Sequence, residues 1–198
     1  MKKYVVVILF FLFFVKIYAQ DKNQVFEEQY NKILENLNSE NWGLANELSN
    51  SLLNNIENDE SMKKEKSVLI YLMIYTNSGL LNENKISKDE ALKRVEKFKG
   101  VYVSMPAHPI KQNCYINCTY LVKEEKNTLF SGVNNTAGTQ IFSFEYVKMK
   151  EPIDEESIKP FEGKYVELYG KLKEITVEGN MLPRYRLRVE EGEMSIVE

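Results

Sequence analysis

Near Gly100 the hydrophobic pattern changes period, which requires two kinds of element in succession along the chain. Before that point apolar residues recur three and four apart, the repeat of a helix with one buried face. Beyond it they alternate, the repeat of a half-buried strand. Helices and strands in separate blocks make an α+β chain rather than an alternating α/β one. The expected organisation is a helical region over residues 20–100 and an antiparallel β region over residues 101–198, preceded by a targeting segment at residues 1–19.

Phe26, Tyr30, Ile33, Leu34 and Leu37 share one face of a helix over residues 24–38. Asn38, Ser39, Glu40 and Asn41 then offer capping oxygens, and Trp42, Ala45, Leu48, Leu52 and Ile56 resume the helical spacing. So short a connection folds the two helices back antiparallel, with Trp42 and Ala45 turned toward the first. After the charged break Glu57 to Glu60, the stretch Val68 to Tyr75 is apolar on every side and predicts a buried third helix ending near Gly79. Ser87, Lys88, Asp89 and Glu90 spell a capping box for a fourth helix, which carries Ala91, Leu92, Val95 and Phe98 on one face and stops at Gly100.

Pro106 and Pro109 bar a helix or a central strand around His108 and predict a loop. Five segments then alternate apolar and polar residues: 114–122, 128–133, 140–149, 164–177 and 183–189. Turn-forming clusters separate them, Asn134 to Gly138 among them, and Glu191-Gly192 follows the last. Between the third and fourth strands, Pro152 to Pro160 predicts a short helical turn.

Asn41-Trp-Gly-Leu-Ala45 and Lys88-Asp-Glu-Ala-Leu92 each resemble the start of the second helix of a tetratricopeptide repeat, with Ala45 and Ala91 at its small-residue position. Residues 113–197, with the helical turn and then Gly170 in mid-strand, resemble the oligonucleotide/oligosaccharide-binding barrel. That resemblance implies a small antiparallel barrel or sandwich in which a residue without a Cβ lets the strand coil sharply. It leaves open whether the ligand is nucleic acid, sugar or protein.

Lys2 and Lys3, the uncharged run Tyr4 to Val15, and Ala19 before polar Gln20 have the order of a cleavable secretory signal. The run spans about 18 Å as a helix, short of the roughly 30 Å of a bilayer core. A cleaved signal is therefore expected, leaving a mature chain that begins at Gln20. The Tyr-Ala-Gln ending and the Asn-, Lys- and Ile-rich body resemble exported proteins of the Bacteroidota. Without Lys2, Lys3 and Lys16 the 26 basic residues become 23 against 29 acidic ones, a net of −6. That balance argues against nucleic acid as a partner. A periplasmic or extracellular protein is expected, touching the membrane only through its signal before cleavage.

Catalytic patterns are sparse. His108 is the sole histidine, and there is no glycine-rich phosphate loop, nucleophile elbow or metal-binding helix, so no catalytic residue, metal or cofactor is indicated. Glu124-Glu125, Glu155-Glu156 and Glu190-Glu191 sit beside turn or cap signals, where acids serve solvation and helix dipoles. Cys114 and Cys118 on a straight strand would lie about 13 Å apart, too far for a bridge. They are either two buried thiols or, if the chain bends between them, a disulfide; a metal site with His108 needs the same bend.

Arg184, Arg186 and Arg188 alternate and would line one face of a strand, either as a solvated edge or as an anion site. Tyr165 and Tyr169 lie opposite Val166 and Leu168 and point outward if the latter are core, as on a ligand platform or partner surface. The reading that follows is an exported, non-enzymatic interaction or scaffold protein whose partner is another envelope protein. The alternative is a binding module for a small ligand or glycan on the β face carrying Tyr165, Tyr169 and the arginine row.

Overall fold

The computed structural model describes residues 24–112 and 114–197, so the expected signal segment at 1–19 lies outside the described residues. Among those described, no helix is long and apolar enough to cross a membrane. The protein is α+β. Helix α1 covers residues 24–38, followed by α2 (Trp42–Ile56), α3 (Lys63–Asn82) and α4 (Lys88–Glu96). Strands β1 (Tyr102–Ser104), β2 (His108–Pro109), β3 (Thr119–Leu121), β4 (Thr128–Asn134) and β5 (Ile141–Met149) come next. A short α5 (Glu155–Ile158) precedes the long β6 (Tyr165–Glu178) and β7 (Arg184–Ile196).

The strands form one sheet in the order β1-β6-β7-β5-β4-β3, with β2 also on β6. Every pairing is antiparallel except that of β5 with β7. The sheet is open. Among the described residues its two edges meet at one bridge, Ile110 to Thr119, and the short strands β1, β2 and β3 do not close the circuit that the barrel resemblance implies.

One hydrophobic core joins the helices to the sheet, running from Ile33, Trp42 and Leu69 to Leu129, Val147 and Leu187. Polar ties reinforce the junction: Ser78 Oγ donates to the Phe142 carbonyl at 2.8 Å, Tyr75 Oη to that of Asn134 at 2.9 Å, and Tyr185 Oη to that of Ala91 at 2.9 Å. Trp42 is buried at that junction. Its indole packs on Gly79 of α3, and its ring meets Tyr75 and Phe142 at 5.7 and 5.1 Å. Phe142 reaches it because the register of β5 against β4 slips there, Val133 facing Ser143 and Asn134 facing Ile141. A bulge of that kind turns one residue out of the alternation. Ser87 caps α4 by accepting from the Glu90 amide at 3.2 Å, but the Glu90 carboxylate binds Arg94 instead of completing the box.

Three local expectations are corrected. His108 and Pro109 pair with Val166 and Tyr165 on the edge of the sheet, a position where proline's missing N–H does no harm. Residues 114–118 are not strand. The chain bends there with Asn117 at φ +52°, and Cys114 and Cys118 form a disulfide across a Cα separation of 6.4 Å. Both sulfurs are thereby used, and no metal set with His108 remains. Finally, Glu191-Gly192 does not end the last strand; β7 continues through a register shift to Ile196.

The register of β6 slips beside Gly170, between Tyr169 and Lys171. A Cβ at Gly170 would stand 2.8 Å from the Glu190 carbonyl oxygen and 2.6 Å from a Val189 methyl. Backbone on the neighbouring strand cannot step aside as a side chain can, so Gly170→Ala is expected to lower stability by about 1–3 kcal/mol. Urea denaturation of the two proteins measures this, and an unchanged midpoint would contradict it.

Candidate functional site

Strand β7 lies between β6 and β5, so its arginine row is central rather than on an edge. Tyr185, Leu187 and Val189 point into the core, and the intervening arginines point to the opposite face. The parallel register sets Phe144 beside Arg186 and Tyr146 beside Arg188. Each guanidinium lies over a ring: Arg184 on Phe144 at 4.6 Å, and Arg186 and Arg188 on Tyr146 at 4.6 and 4.5 Å. Such stacking contributes about 0.5–2 kcal/mol per pair.

The rings continue across the sheet. Phe130 of β4 meets Tyr146 at 5.3 Å and Phe144 at 5.5 Å, and Tyr120 of β3 stacks on Phe130 at 4.8 Å. The disulfide loop closes one end, with Ile116 against Gly132 and exposed Tyr115 edge-on to Phe144 at 5.9 Å. Two hydrogen bonds hold that loop in place: the Asn117 backbone amide donates to the Gly132 carbonyl at 2.7 Å, and the Asn134 backbone amide donates to the Asn117 side-chain Oδ1 at 3.1 Å.

The three arginines differ in charge balance. Arg186 pairs with Glu178 at 2.9 Å, and Arg188 pairs with Glu125. The hydrogen bond from Arg188 holds the Glu125 carboxyl below its usual range. Arg184 has no carboxylate partner among the described residues. It therefore presents a positive charge fixed on the plane of Phe144, the ring that Tyr115 also meets. An anion beside a planar group would find complementary contacts there.

The two tyrosines expected to share this surface lie elsewhere. Tyr165 is exposed at the start of β6, opposite Pro109. Tyr169 stacks on Tyr102 at 5.1 Å and lines a separate cleft between the helices and β1. The structure thus brings Arg184, Arg186 and Arg188 together with Tyr115, Tyr120, Phe130, Phe144 and Tyr146. The even-numbered aromatics Phe144 and Tyr146 on a predicted strand were the available signal, but only the β5–β7 pairing places them beside the arginines.

The acid pairs are ordinary. Glu190 binds Lys173, and Glu191 accepts from Tyr102. The unusual acid is Glu145, fully buried on the core face of β5. Burial raises its carboxyl above the usual range; Oε1 accepts from Tyr71 Oη at 2.5 Å and from Ser143 Oγ at 2.8 Å, while Oε2 has no partner. Burial of this kind favours the neutral acid over the carboxylate. Among the described residues no group of acids, histidines and cysteines is placed to hold a metal. Compared with known proteins, the chain matches no family model, no curated protein and no solved structure.

Proposed function

We propose that this is an exported binding protein whose arginine–aromatic face takes an anionic glycan. Sugar rings pack against Tyr115 and Phe144, and carboxylates meet Arg184. The observation that carries this reading is Arg184, a half-buried cation stacked on Phe144 with no carboxylate beside it. Helix α5 before β6 and the parallel β5–β7 pair support an arrangement of the oligosaccharide-binding kind.

Affinity electrophoresis of the mature chain in gels containing alginate, with dextran as the uncharged control, tests it. Alginate is expected to retard the protein, dextran to leave it unaffected, Arg184→Ala to weaken retention by about tenfold or more, the equivalent of losing one charge-assisted contact, and Tyr115→Ala to weaken it through loss of the stacking ring. Retention should also fall as salt rises. Equal retention of wild type and Arg184→Ala would reject the site.

A second reading, a surface for another envelope protein, is favoured by Met181 and Leu182. They stand 93% and 63% exposed at the turn between β6 and β7, close in sequence to Arg184, and methionine and arginine are enriched at protein interfaces. Under that reading Met181→Glu with Leu182→Glu abolishes a protein complex and leaves alginate retention intact.

A further inference from the structure

Between α2, the first turns of α3 and the strand pair β1–β6 lies a cleft of about 550 Å³, within the size range of small-molecule sites. Its apolar lining includes Leu53, Ile70 and Phe98, with the stacked pair Tyr102 and Tyr169 at 5.1 Å and 13° between ring planes. Val101 and Tyr102 remain 38% and 36% exposed, although the adjoining Phe98 is buried. Flat apolar surface is thus left uncovered inside a concavity, unlike the isolated exposed side chains that are normal on a protein.

The rim is cationic. Lys63, Lys66 and Lys97 line the cleft, against one acid, Glu57. Lys63 is bridged to Glu60 at 3.0 Å, and Lys66 donates to the Glu57 carbonyl oxygen at 2.6 Å. Lys97 has only the Phe98 ring, 5.0 Å away, and no carboxylate among the described residues. Across Tyr169 a smaller lobe of about 340 Å³ is balanced, with Lys63 and Lys64 beside Glu167 and Glu193 and Lys64 bridged to Glu167 at 3.0 Å. The unpaired positive charge of the cleft is therefore the one on Lys97.

We propose that this cleft binds small organic anions with a flat apolar body, an arene carboxylate or sulfonate in chemical class. The ring lies along Tyr102 and Tyr169, and the charged group faces Lys97 and Lys66. The site is separate from the arginine–aromatic face and shares none of its residues.

Titration of the mature protein with 1-anilinonaphthalene-8-sulfonate, followed by its fluorescence, tests the assignment. One saturable site is expected. Lys97→Glu and Tyr169→Ala should each weaken it by about tenfold or more, Tyr169→Phe should retain it, and Arg184→Ala should leave it unchanged. Naphthalene-2-sulfonate should displace the probe, and uncharged naphthalene-2-methanol should do so at least about tenfold less well. Lys97 is exposed, so Lys97→Glu reports on binding even if Tyr169→Ala fails to fold. Absence of saturable binding, or wild-type affinity in Lys97→Glu, would overturn the proposal. Loss in Arg184→Ala alone would move the probe to the other face and overturn it equally.

Discussion

Replacing Trp42 with alanine is expected to lower stability by about 3–5 kcal/mol, the cost of a large buried aromatic and the cavity it leaves. The indole is 1% exposed and touches all three structural layers: its own helix, Gly79 of α3, and Phe142 of the sheet. A loss of that size is a large share of the roughly 5–15 kcal/mol that holds a domain folded. Because one core spans helices and strands, the loss should appear as a single transition, with helical and aromatic circular dichroism melting together. Gly79→Ala should destabilise through the same contact from the other side, since a Cβ there would lie 2.3 Å from the indole. Separate transitions for helices and sheet in the Trp42→Ala protein would contradict the shared core.

The second large effect is pH-dependent and involves two buried groups that act in opposite directions. Burial raises the Glu145 carboxyl above its usual range. A raised acid contributes fully below the unfolded pKa, near 4.5, and that contribution is lost as pH climbs through the folded value. Burial pushes the His108 imidazole down to about 4, from 6.5. Its contribution is present above 6.5 and is lost as pH falls toward 4, amounting to roughly 3 kcal/mol over the window at about 1.4 kcal/mol per pH unit.

Above pH 4.5 the loss from the raised Glu145 opposes the gain from His108, so the wild type should rise less steeply with pH than the histidine alone would make it. Glu145→Gln keeps an acceptor for Tyr71 and Ser143 and adds a donor without a titrating proton. Urea denaturation between pH 4.5 and 6.5 should then show the histidine slope alone, stability rising with pH by about 1.4 kcal/mol per unit. At pH 7 the variant should equal or exceed the wild type. His108→Gln should show the reverse, stability falling as pH rises. A Glu145→Gln protein no steeper than wild type would refute the neutral buried acid.

The change of period near Gly100 made the α+β order legible, and the spacing of Trp42, Ala45, Leu52 and Ile56 placed α2 within its observed bounds. What local pattern could not carry was long-range pairing. Trp42 meets Phe142 across 100 residues only because a bulge turns that phenylalanine toward the helices. The disulfide replaced the first half of an expected strand, since the bend at Asn117 leaves no mark in hydrophobic alternation.

The candidate site was legible by halves. The i, i+2 spacing of Arg184, Arg186 and Arg188 placed them on one face, but their aromatic partners belong to a strand that pairs in parallel, a register no local signal specifies. Tyr169 was correctly expected opposite Val166 and Leu168, yet its neighbour is Tyr102, from the other end of the β region, and the two tyrosines face a different cleft from the arginines.

Backbone and side-chain NMR shifts of residues 20–198, followed while alginate oligosaccharide is added, address the proposed binding face most directly. Perturbations are expected to concentrate at Tyr115, Phe144, Arg184 and Arg186 and to leave Tyr102, Tyr169 and Lys97 in place. Perturbations confined to the helix–sheet cleft, or none at saturating oligosaccharide, would contradict it.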